Sequence, residues 1–160
     1  MQSVIIICVG KLKEEYLRNA CSEYIKRIGG KEHIQIIEID EERLPDNPSN
    51  AQIEKALEIE GKKIMQHIPS SSAIVSLCIE GKMLSSVDLS KQMGKWAISG
   101  LNKVTYIIGS SFGLSPEVKE KSQLCLSMSA MTFPHQLARV MLLEQIYRAM
   151  QIERGSKYHK

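Results

Sequence analysis

Residues 124–154 constrain the fold of this 160-residue chain more than any other stretch. The stretch begins with an alternation of apolar and small polar residues that is typical of a strand. It then passes through Thr132 and Phe133 into the longest apolar helical pattern in the sequence, with Pro134 expected in the first helical turn, where its missing N–H would have no partner. The apolar positions of that helix are Leu137, Val140, Met141, Leu142, Leu143, Ile146, Tyr147, Ala149, Met150 and Ile152. They occupy far more than the single stripe that an ordinary surface helix buries, so two surfaces are needed to cover the helix.

We expect one flank of this helix to pack on the chain's own sheet and the other flank on a second copy of the chain. This predicts a homodimer through the C-terminal helix, with residues 128–133 held between the two surfaces. The alternative is one deeply buried helix in a monomer, because wide apolar faces also occur in ordinary cores.

The rest of the sequence alternates between strand and helix patterns. Apolar runs predict strands at 4–9, 34–39, 73–79 and 104–108, and the alternation after residue 123 adds a fifth. Helical patterns follow at 14–28 and 53–68, from Ser85 or Ser86 to about 99, and briefly after the capping residue Ser115. Strands that alternate with helices predict an α/β fold with a mainly parallel sheet flanked by helices.

No linker, repeat or low-complexity segment interrupts this order, so residues 1–160 are expected to form a single domain. Residues 40–49 carry Pro45 and Pro48 among charged residues, which predicts a mobile surface loop. The first strand is too short to span a membrane and has no basic flank before it. We therefore expect a cytoplasmic protein without membrane contact.

The four cysteines and four histidines are scattered along the chain, without the clusters that metal sites use. We therefore expect the cysteines to be buried free thiols in a reducing compartment, and we expect no metal site.

Positive charge is concentrated at the C-terminus. Residues 139–160 contain five Lys or Arg residues and two Glu residues, which accounts for the whole net charge of +3. The last seven residues combine Arg154 and two lysines with Tyr158 and His159. Such residues can hold phosphates, stack on a base and move a proton, so the tail is a candidate for contact with nucleic acid. A solvated tail without a partner is the other reading.

Three predicted strand ends, 77–81, 108–113 and 128–133, offer small residues and free backbone groups. Ligands of open α/β sheets bind beyond the carboxyl ends of strands, so we expect the ligand site there. The sequence lacks G-x-G-x-x-G after its first strand, and it lacks G-x-x-x-x-G-K-[ST] and G-x-S-x-G throughout. These absences disfavour ordinary dinucleotide, triphosphate and hydrolase sites.

Several motifs along the whole chain carry a resemblance to a known family. They are Val9-Gly10-Lys11-Leu12-Lys13, Glu80-Gly81-Lys82, Tyr106-Ile107-Ile108-Gly109 with Gly113-Leu114-Ser115, the run 127–137, Glu144-Gln145-Ile146-Tyr147-Arg148-Ala149, and Tyr158-His159-Lys160. With these motifs the sequence resembles the ribosomal RNA large-subunit methyltransferase H family of the SPOUT superfamily, whose members methylate N3 of a pseudouridine in 23S ribosomal RNA. Ser110-Ser111 follows Gly109 where many relatives have a second glycine.

The resemblance implies an α/β fold with a deep trefoil knot, a homodimer through the C-terminal helix, and S-adenosylmethionine bound in the knot loops. It also implies 23S ribosomal RNA, in the large subunit or the whole ribosome, as the substrate. The implied cofactor contacts are Leu77, Gly109, Met128, Ser129, Ala130, Met131, Thr132 and Phe133. His159 would accept the N3 proton and Arg154 would stabilise the developing negative charge, both at the partner subunit's cofactor site.

Two other functions stay open. The first is a non-catalytic RNA- or ribosome-binding module that keeps the knot fold without the cofactor. The second is a small-molecule hydrolase on a flavodoxin-like sheet. Binding of S-adenosylmethionine separates both from the methyltransferase.

Overall fold

The computed structural model describes residues 2–30 and 33–159, with His159 described by its backbone alone. The strands are β1 (Ser3–Val9), β2 (Ile34–Ile39), β3 (Ser72–Met83), β4 (Lys103–Ile108) and β5 (Leu124–Ser127). The helices are α1 (Glu15–Ile28), α2 (Asn50–Gln66), α3 (Ser86–Ile98), α4 (Pro116–Lys121) and α5 (His135–Glu153), followed by a 3₁₀ helix (Lys157–His159). The predicted alternation of strands and helices is confirmed.

The five strands form one sheet in the order β2-β1-β4-β3-β5, and every pair of neighbouring strands is parallel. Helices α1, α3 and α5 cover one face, and α2 and α4 cover the other. Successive residues of β1 point to opposite faces: Ile6 belongs to the first core and Ile7 to the second. Burial on both faces explains why the strands are continuous apolar runs, and the predicted α/β fold with a parallel sheet is confirmed.

Strand β5 pairs with β3 in two places. Residues 75–77 pair with 124–126, then 78–81 leave the ladder, and Lys82 and Met83 return to pair with Leu126 and Ser127. The backbone of Gly81 packs directly on β5, because a methyl group added there would lie 2.5 Å from the carbonyl oxygen of Cys125. The carboxyl end of β3 therefore bends closely around β5.

Several boundaries differ from the predictions by up to four residues, as at the end of β3 (Met83 rather than residue 79), and two of the differences concern the beginning of a helix. Helix α2 begins at Asn50 rather than at residue 53, because Ser49 and Gln52 form a capping box that extends the helix. Pro134 is the residue before α5 rather than part of its first turn, and the helix begins at His135. Both differences lie at helix ends, where capping decides the boundary.

Helix α5 buries only one of its two apolar flanks within this chain. Leu142, Leu143 and Ile146 are fully buried, whereas Val140 is half-buried and Leu137 is 40% exposed. The wide apolar surface inferred from the sequence is present, and the homodimer that it predicts stays a prediction. None of the described helices is long and apolar enough to cross a membrane.

Replacing Gly81 tests the close packing of β3 on β5. We expect Gly81→Ala to lower the free energy of unfolding by about 1–3 kcal/mol, the usual cost of overpacking, because the new methyl group would overlap Cys125. Gly94→Ala on α3 is the matched control: its methyl group meets no atom within 4 Å. Helix propensity predicts that it gains up to about 1 kcal/mol. Urea unfolding measures both, and equal effects would contradict the packing described here.

Candidate functional site

A cavity of about 610 Å³ opens at the carboxyl edge of the sheet. Its walls come from residues 77–80 after β3, 108–114 after β4, and the segment that leads from β5 into α5. These three strands are neighbours in the sheet and run parallel, so their carboxyl ends meet at one place. The three strand ends selected from the sequence therefore form one cavity.

Most residues that the resemblance assigns to the cofactor line this cavity. They are Leu77, Gly109, Met128, Ser129, Met131, Thr132 and Phe133. Ala130 belongs to the same loop but not to the cavity wall. Pro134, His135 and Ala138 add the beginning of α5. The structure brings the predicted residues together, and their contacts with a cofactor stay a prediction.

The turn after β4 is the most tightly packed part of the wall. The N–H of Gly113 donates to the carbonyl oxygen of Ser110 at 2.9 Å, and Gly113 has a φ of +89° that favours glycine. A methyl group at Gly109 would lie 2.3 Å from the carbonyl oxygen of Gly113, so no other residue fits there without movement. The turn can thus expose backbone groups to a ligand at close range.

The loop after β5 is held by its own serines. The hydroxyl of Ser127 donates to the carbonyl oxygen of Ser129 at 3.0 Å, and the hydroxyl of Ser129 accepts from the N–H of Met131 at 3.0 Å. These hydrogen bonds shape the loop, while the side chain of Met131 is 73% exposed. The serines at positions 127 and 129 therefore serve to shape the loop through hydrogen bonds to its backbone.

A buried carboxylate lies behind the turn after β4. Glu60 of α2 is 3% exposed and accepts from the N–H of Glu42 at 2.9 Å. Burial raises the pKa of Glu60, while hydrogen bonds from the Glu42 N–H and the Ser110 hydroxyl oppose the rise. Sequence reasoning missed this residue, although its spacing of four from the buried residues Ala56 and Ile64 places it on the inner face of α2.

The loop 40–49 is tied to α2 at its beginning. Besides the hydrogen bond from Glu42 to Glu60, the ammonium group of Lys63 lies 2.8 Å from a carboxylate oxygen of Glu42. Glu60 therefore contacts both this loop and Ser110 of the cavity wall.

Arg139 corrects the interpretation of the C-terminal charge. The sequence counts it in the positive excess, but it is 5% exposed, and its guanidinium donates to Glu38 at 2.9 Å. Arg148 is likewise paired, donating to Glu144 at 2.6 Å and 3.0 Å. The count of +3 already subtracts Glu144, but it could not reveal the pair made by Arg139, because Glu38 lies 101 positions away in the sequence. The positive charge available at this end is smaller than the sequence suggests.

The tail packs on the far end of α5. The ring of Tyr158 meets that of Tyr147 edge-on at 4.8 Å between centroids, and the Arg148 guanidinium lies 5.0 Å from the Tyr158 centroid. The hydroxyl of Tyr158 donates to Glu144 at 3.3 Å. Burial, together with Glu144, raises the pKa of the neighbouring Tyr24 to about 12. An aromatic cluster thus fixes the tail on its own helix.

Of the two predicted catalytic residues, Arg154 is not among the described residues that line the cavity of its own chain. Arg154 follows the last residue of α5, and His159 is described by its backbone in the terminal 3₁₀ helix, so its side chain lies outside the described part. His135, at the other end of α5, lines the cavity. The 19 residues of α5 separate the two ends by about 28 Å.

The chain matches the family model described as "Predicted SPOUT methyltransferase" over residues 1–159. The chain belongs to the SPOUT methyltransferase family. It is 43% identical over 157 residues to ribosomal RNA large subunit methyltransferase H of Streptococcus thermophilus. The matched residues cover 98% of this chain and 99% of that relative. A Methanococcus maripaludis protein, provisionally given the same name, is 46% identical over 158 residues. The matched residues cover 99% of this chain and 99% of that protein.

A solved structure confirms the fold. The match is to a probable methylase family protein from Haemophilus influenzae Rd KW20, with a TM-score of 0.55 and 11% identity over 99% of this chain and 71% of that chain. At this identity the likeness concerns the fold alone.

Membership in this family gives the chain S-adenosylmethionine as its cofactor. The cavity suits such a molecule in size, since its volume lies within the range of small-molecule sites. Leu77, Ile108 and Leu114 supply apolar walls for a purine, and the turn at Gly109 supplies backbone groups. The one charged pair in the wall, Lys119 and Glu80, is already joined at 2.6 Å, and Lys119 lowers the pKa of Glu80. The residues present fit the cofactor.

The buried carboxylate generates a pH-dependent prediction. Because its pKa is raised by folding, the charged form of Glu60 costs stability, and this cost grows as the pH rises through the pKa. Glu60→Gln keeps an acceptor for the Glu42 N–H without the charge. We therefore expect the stability of Glu60→Gln, relative to the wild type, to increase between about pH 4 and about pH 7.

Urea unfolding across this pH range measures the difference. Glu58→Gln, on the exposed side of the same helix, controls for the loss of one negative charge from α2. A relative stability that falls with rising pH would show that Glu60 is not a destabilised carboxylate.

Proposed function

We propose that residues 1–160 form one methyltransferase domain that transfers a methyl group from S-adenosylmethionine to N3 of a pseudouridine in 23S ribosomal RNA. The substrate is the large subunit or the assembled ribosome, in the cytoplasm. The observation that carries the proposal is the convergence of three strand ends on one cavity. This convergence occurs in a chain with 43% identity, over almost its full length, to a ribosomal RNA large subunit methyltransferase H.

In this proposal the cofactor is held by Leu77, Gly109 and the loop from Met128 to Phe133, including Ser129, Ala130, Met131 and Thr132. The lack of space beside Gly109 supports the assignment, because the absence of a side chain lets this turn pack closely on Gly113 while Gly109 borders the cavity. The apolar side chain of Leu77 would contact the adenine, and the backbone of the two loops would satisfy its polar edges.

The proposal includes the trefoil knot. Its support is the path of the chain at β5, which pairs with β3 on both sides of the excursion 78–81 and packs on Gly81. A knotted crossing here would hold the three loops of the cavity together.

We further propose that the active site forms between two copies of the chain. Arg154 follows the end of α5, about 28 Å along the helix from His135, and it is not among the residues that line the cavity, so in this proposal Arg154 and His159 serve a neighbouring cavity. The exposed flank of α5 supports this arrangement: a groove of about 480 Å³ beside it is lined by apolar residues that include Leu84, Val140 and Met141. A second copy seated there would cover the remaining apolar surface.

The reaction requires a nucleophile, an electrophile and the removal of one proton. When bound, S-adenosylmethionine supplies an electrophilic methyl group on its sulfonium. The cavity wall would position the two reactants for in-line attack, and S-adenosylhomocysteine would be the leaving group. His159 of the partner chain accepts the N3 proton, and Arg154 stabilises the negative charge that develops on the base.

A methyl-incorporation assay tests the function. Labelled S-adenosylmethionine is offered with unmethylated 23S RNA, large subunits or whole ribosomes, and the product is mapped by mass spectrometry. We expect label on a pseudouridine of assembled particles. We also expect Gly109→Ala to weaken cofactor binding in calorimetry by about tenfold or more, because overpacking of 1–3 kcal/mol displaces the turn.

Gly94→Ala, which meets no neighbouring atom, is the folded control for calorimetry. A wild-type chain that binds ribosomes but not S-adenosylmethionine would instead indicate a non-catalytic ribosome-binding module. Cofactor binding with label on a different base would overturn the proposed specificity alone.

Mixing two impaired variants, at a cofactor concentration well below the Kd of the Gly109→Ala cavity, tests the shared active site. One variant ends after Gly155 and lacks the tail; the other carries Gly109→Ala and an intact tail. If the tail acts on the partner's cavity, a mixed dimer contains one complete site. Equal mixing should then restore about a quarter of the wild-type rate, since half of the dimers are mixed.

Ultracentrifugation first establishes that both variants are dimers. A truncated chain that is fully active alone would remove the tail from the mechanism. A mixture that stays inactive, although mixed dimers form, would show that each tail serves its own chain.

A further inference from the structure

The loop between β1 and α1, residues 10–13, is fixed by polar side chains from three other segments. Arg139 of α5 donates to the carbonyl oxygen of Gly10 at 3.3 Å, and Glu38 of β2 accepts from the N–H of Leu12 at 3.2 Å. Arg18 of α1 donates to the carbonyl oxygen of Leu12 at 3.0 Å and also to that of Lys13. A short loop with this many backbone contacts to side chains is held in one conformation.

The two lysines of this loop are exposed while the backbone beneath them is fixed. Lys11 has a side-chain exposure of 70%, Lys13 is also exposed, and Leu12 between them is buried as an anchor. The nearest acid to Lys11 is Asp40, at 3.9 Å and 83% exposed. Such an exposed pair contributes little stability, so a phosphate could replace the carboxylate at small cost.

The loop lies beside the cavity. A methyl group at Gly10 would be 3.8 Å from Nε2 of His135, and His135 is part of the cavity wall. Arg139, which holds Gly10, follows His135 by one helical turn of α5. The loop that carries the two lysines therefore begins beside the cavity and is held there by Arg139.

Stability alone does not explain this support. Burying the Arg139 guanidinium costs desolvation energy that its pair with the half-exposed Glu38 only partly returns. Apolar residues of similar size would stabilise the fold at least as well, but they could not fix the backbone of residues 10–13. The polar groups are therefore better explained by the geometry that they impose on the loop.

We propose that Lys11 and Lys13 bind phosphates of the ribosomal RNA at the mouth of the cavity. The inference rests on the proposed function and adds a substrate-binding surface to it. Phosphate contacts position nucleic acid without reading sequence. A chain with a net charge of only +3, whose Arg139 and Arg148 are paired within the molecule, needs such local contacts to hold RNA.

The test compares Lys11→Ala/Lys13→Ala with Lys11→Arg/Lys13→Arg and with a control, Lys26→Ala/Lys103→Ala. The control removes two exposed lysines, of which Lys103 begins β4 at the opposite edge of the sheet. We expect the alanine pair at the loop to raise the KM for ribosomes by about tenfold, with kcat and cofactor affinity unchanged. The arginine pair should restore most of the loss, and the control should behave as the wild type.

Salt dependence supplies a second readout that a purely structural role would not change. Loss of two phosphate contacts should lower the slope of log KM against log salt concentration by about 1–2. Unchanged KM and slope in the alanine pair would overturn the inference. Weaker cofactor binding in calorimetry with an unchanged ribosome KM would also overturn it, since the lysines would then serve the cofactor.

Co-sedimentation with ribosomes separates this inference from the proposed function. If the wild type binds ribosomes without methylating them, the proposed reaction fails, while a salt-dependent loss of binding in the alanine pair still supports the phosphate contacts. Equal ribosome binding by wild type and alanine pair rejects the lysines as the RNA contact in either case.

Discussion

The placement of β5 next to β3 is the constraint on which the rest of the molecule depends. Strand β5 does not pair with β4, which precedes it in the chain, but crosses to the outer side of β3. Because all three strands are parallel, their carboxyl ends open toward the same edge. The segment that leaves β5 must then enter α5 directly beside the turn at Gly109, and this proximity creates the cavity.

Buried polar groups stabilise the geometry of this edge from behind. Glu60 connects the loop 40–49 to the turn after β4, while Arg139 and Glu38 connect the beginning of α5 to the loop after β1. Besides the pair that Arg139 and Glu38 form with each other, each of these groups bonds to an atom of a loop. The apolar core determines where the strands lie, and these few polar contacts determine the shape of the loops that they carry.

The sequence predicted the fold class, the strands and the three loops of the cavity because these follow from local patterns. Apolar runs identify buried strands, and strand ends identify ligand sites in parallel sheets. The order of the strands and the burial of Glu60 and Arg139 could not be predicted, because they depend on contacts between residues far apart in sequence. Arg139 and Glu38 are separated by 101 positions. Helix α2 began earlier than predicted because Ser49 caps it.

The pairing of β5 on both sides of the excursion in β3 also has a kinetic consequence. Strand β5 docks onto β3 through contacts that join residues about 50 positions apart, and such non-local pairing slows folding. Because β5 follows β3 by about 40 residues in the chain, the nascent chain exposes an unpaired β3 edge until β5 has been synthesised. The edge of β3 is therefore the surface on which we expect misassembly or chaperone binding to occur during synthesis.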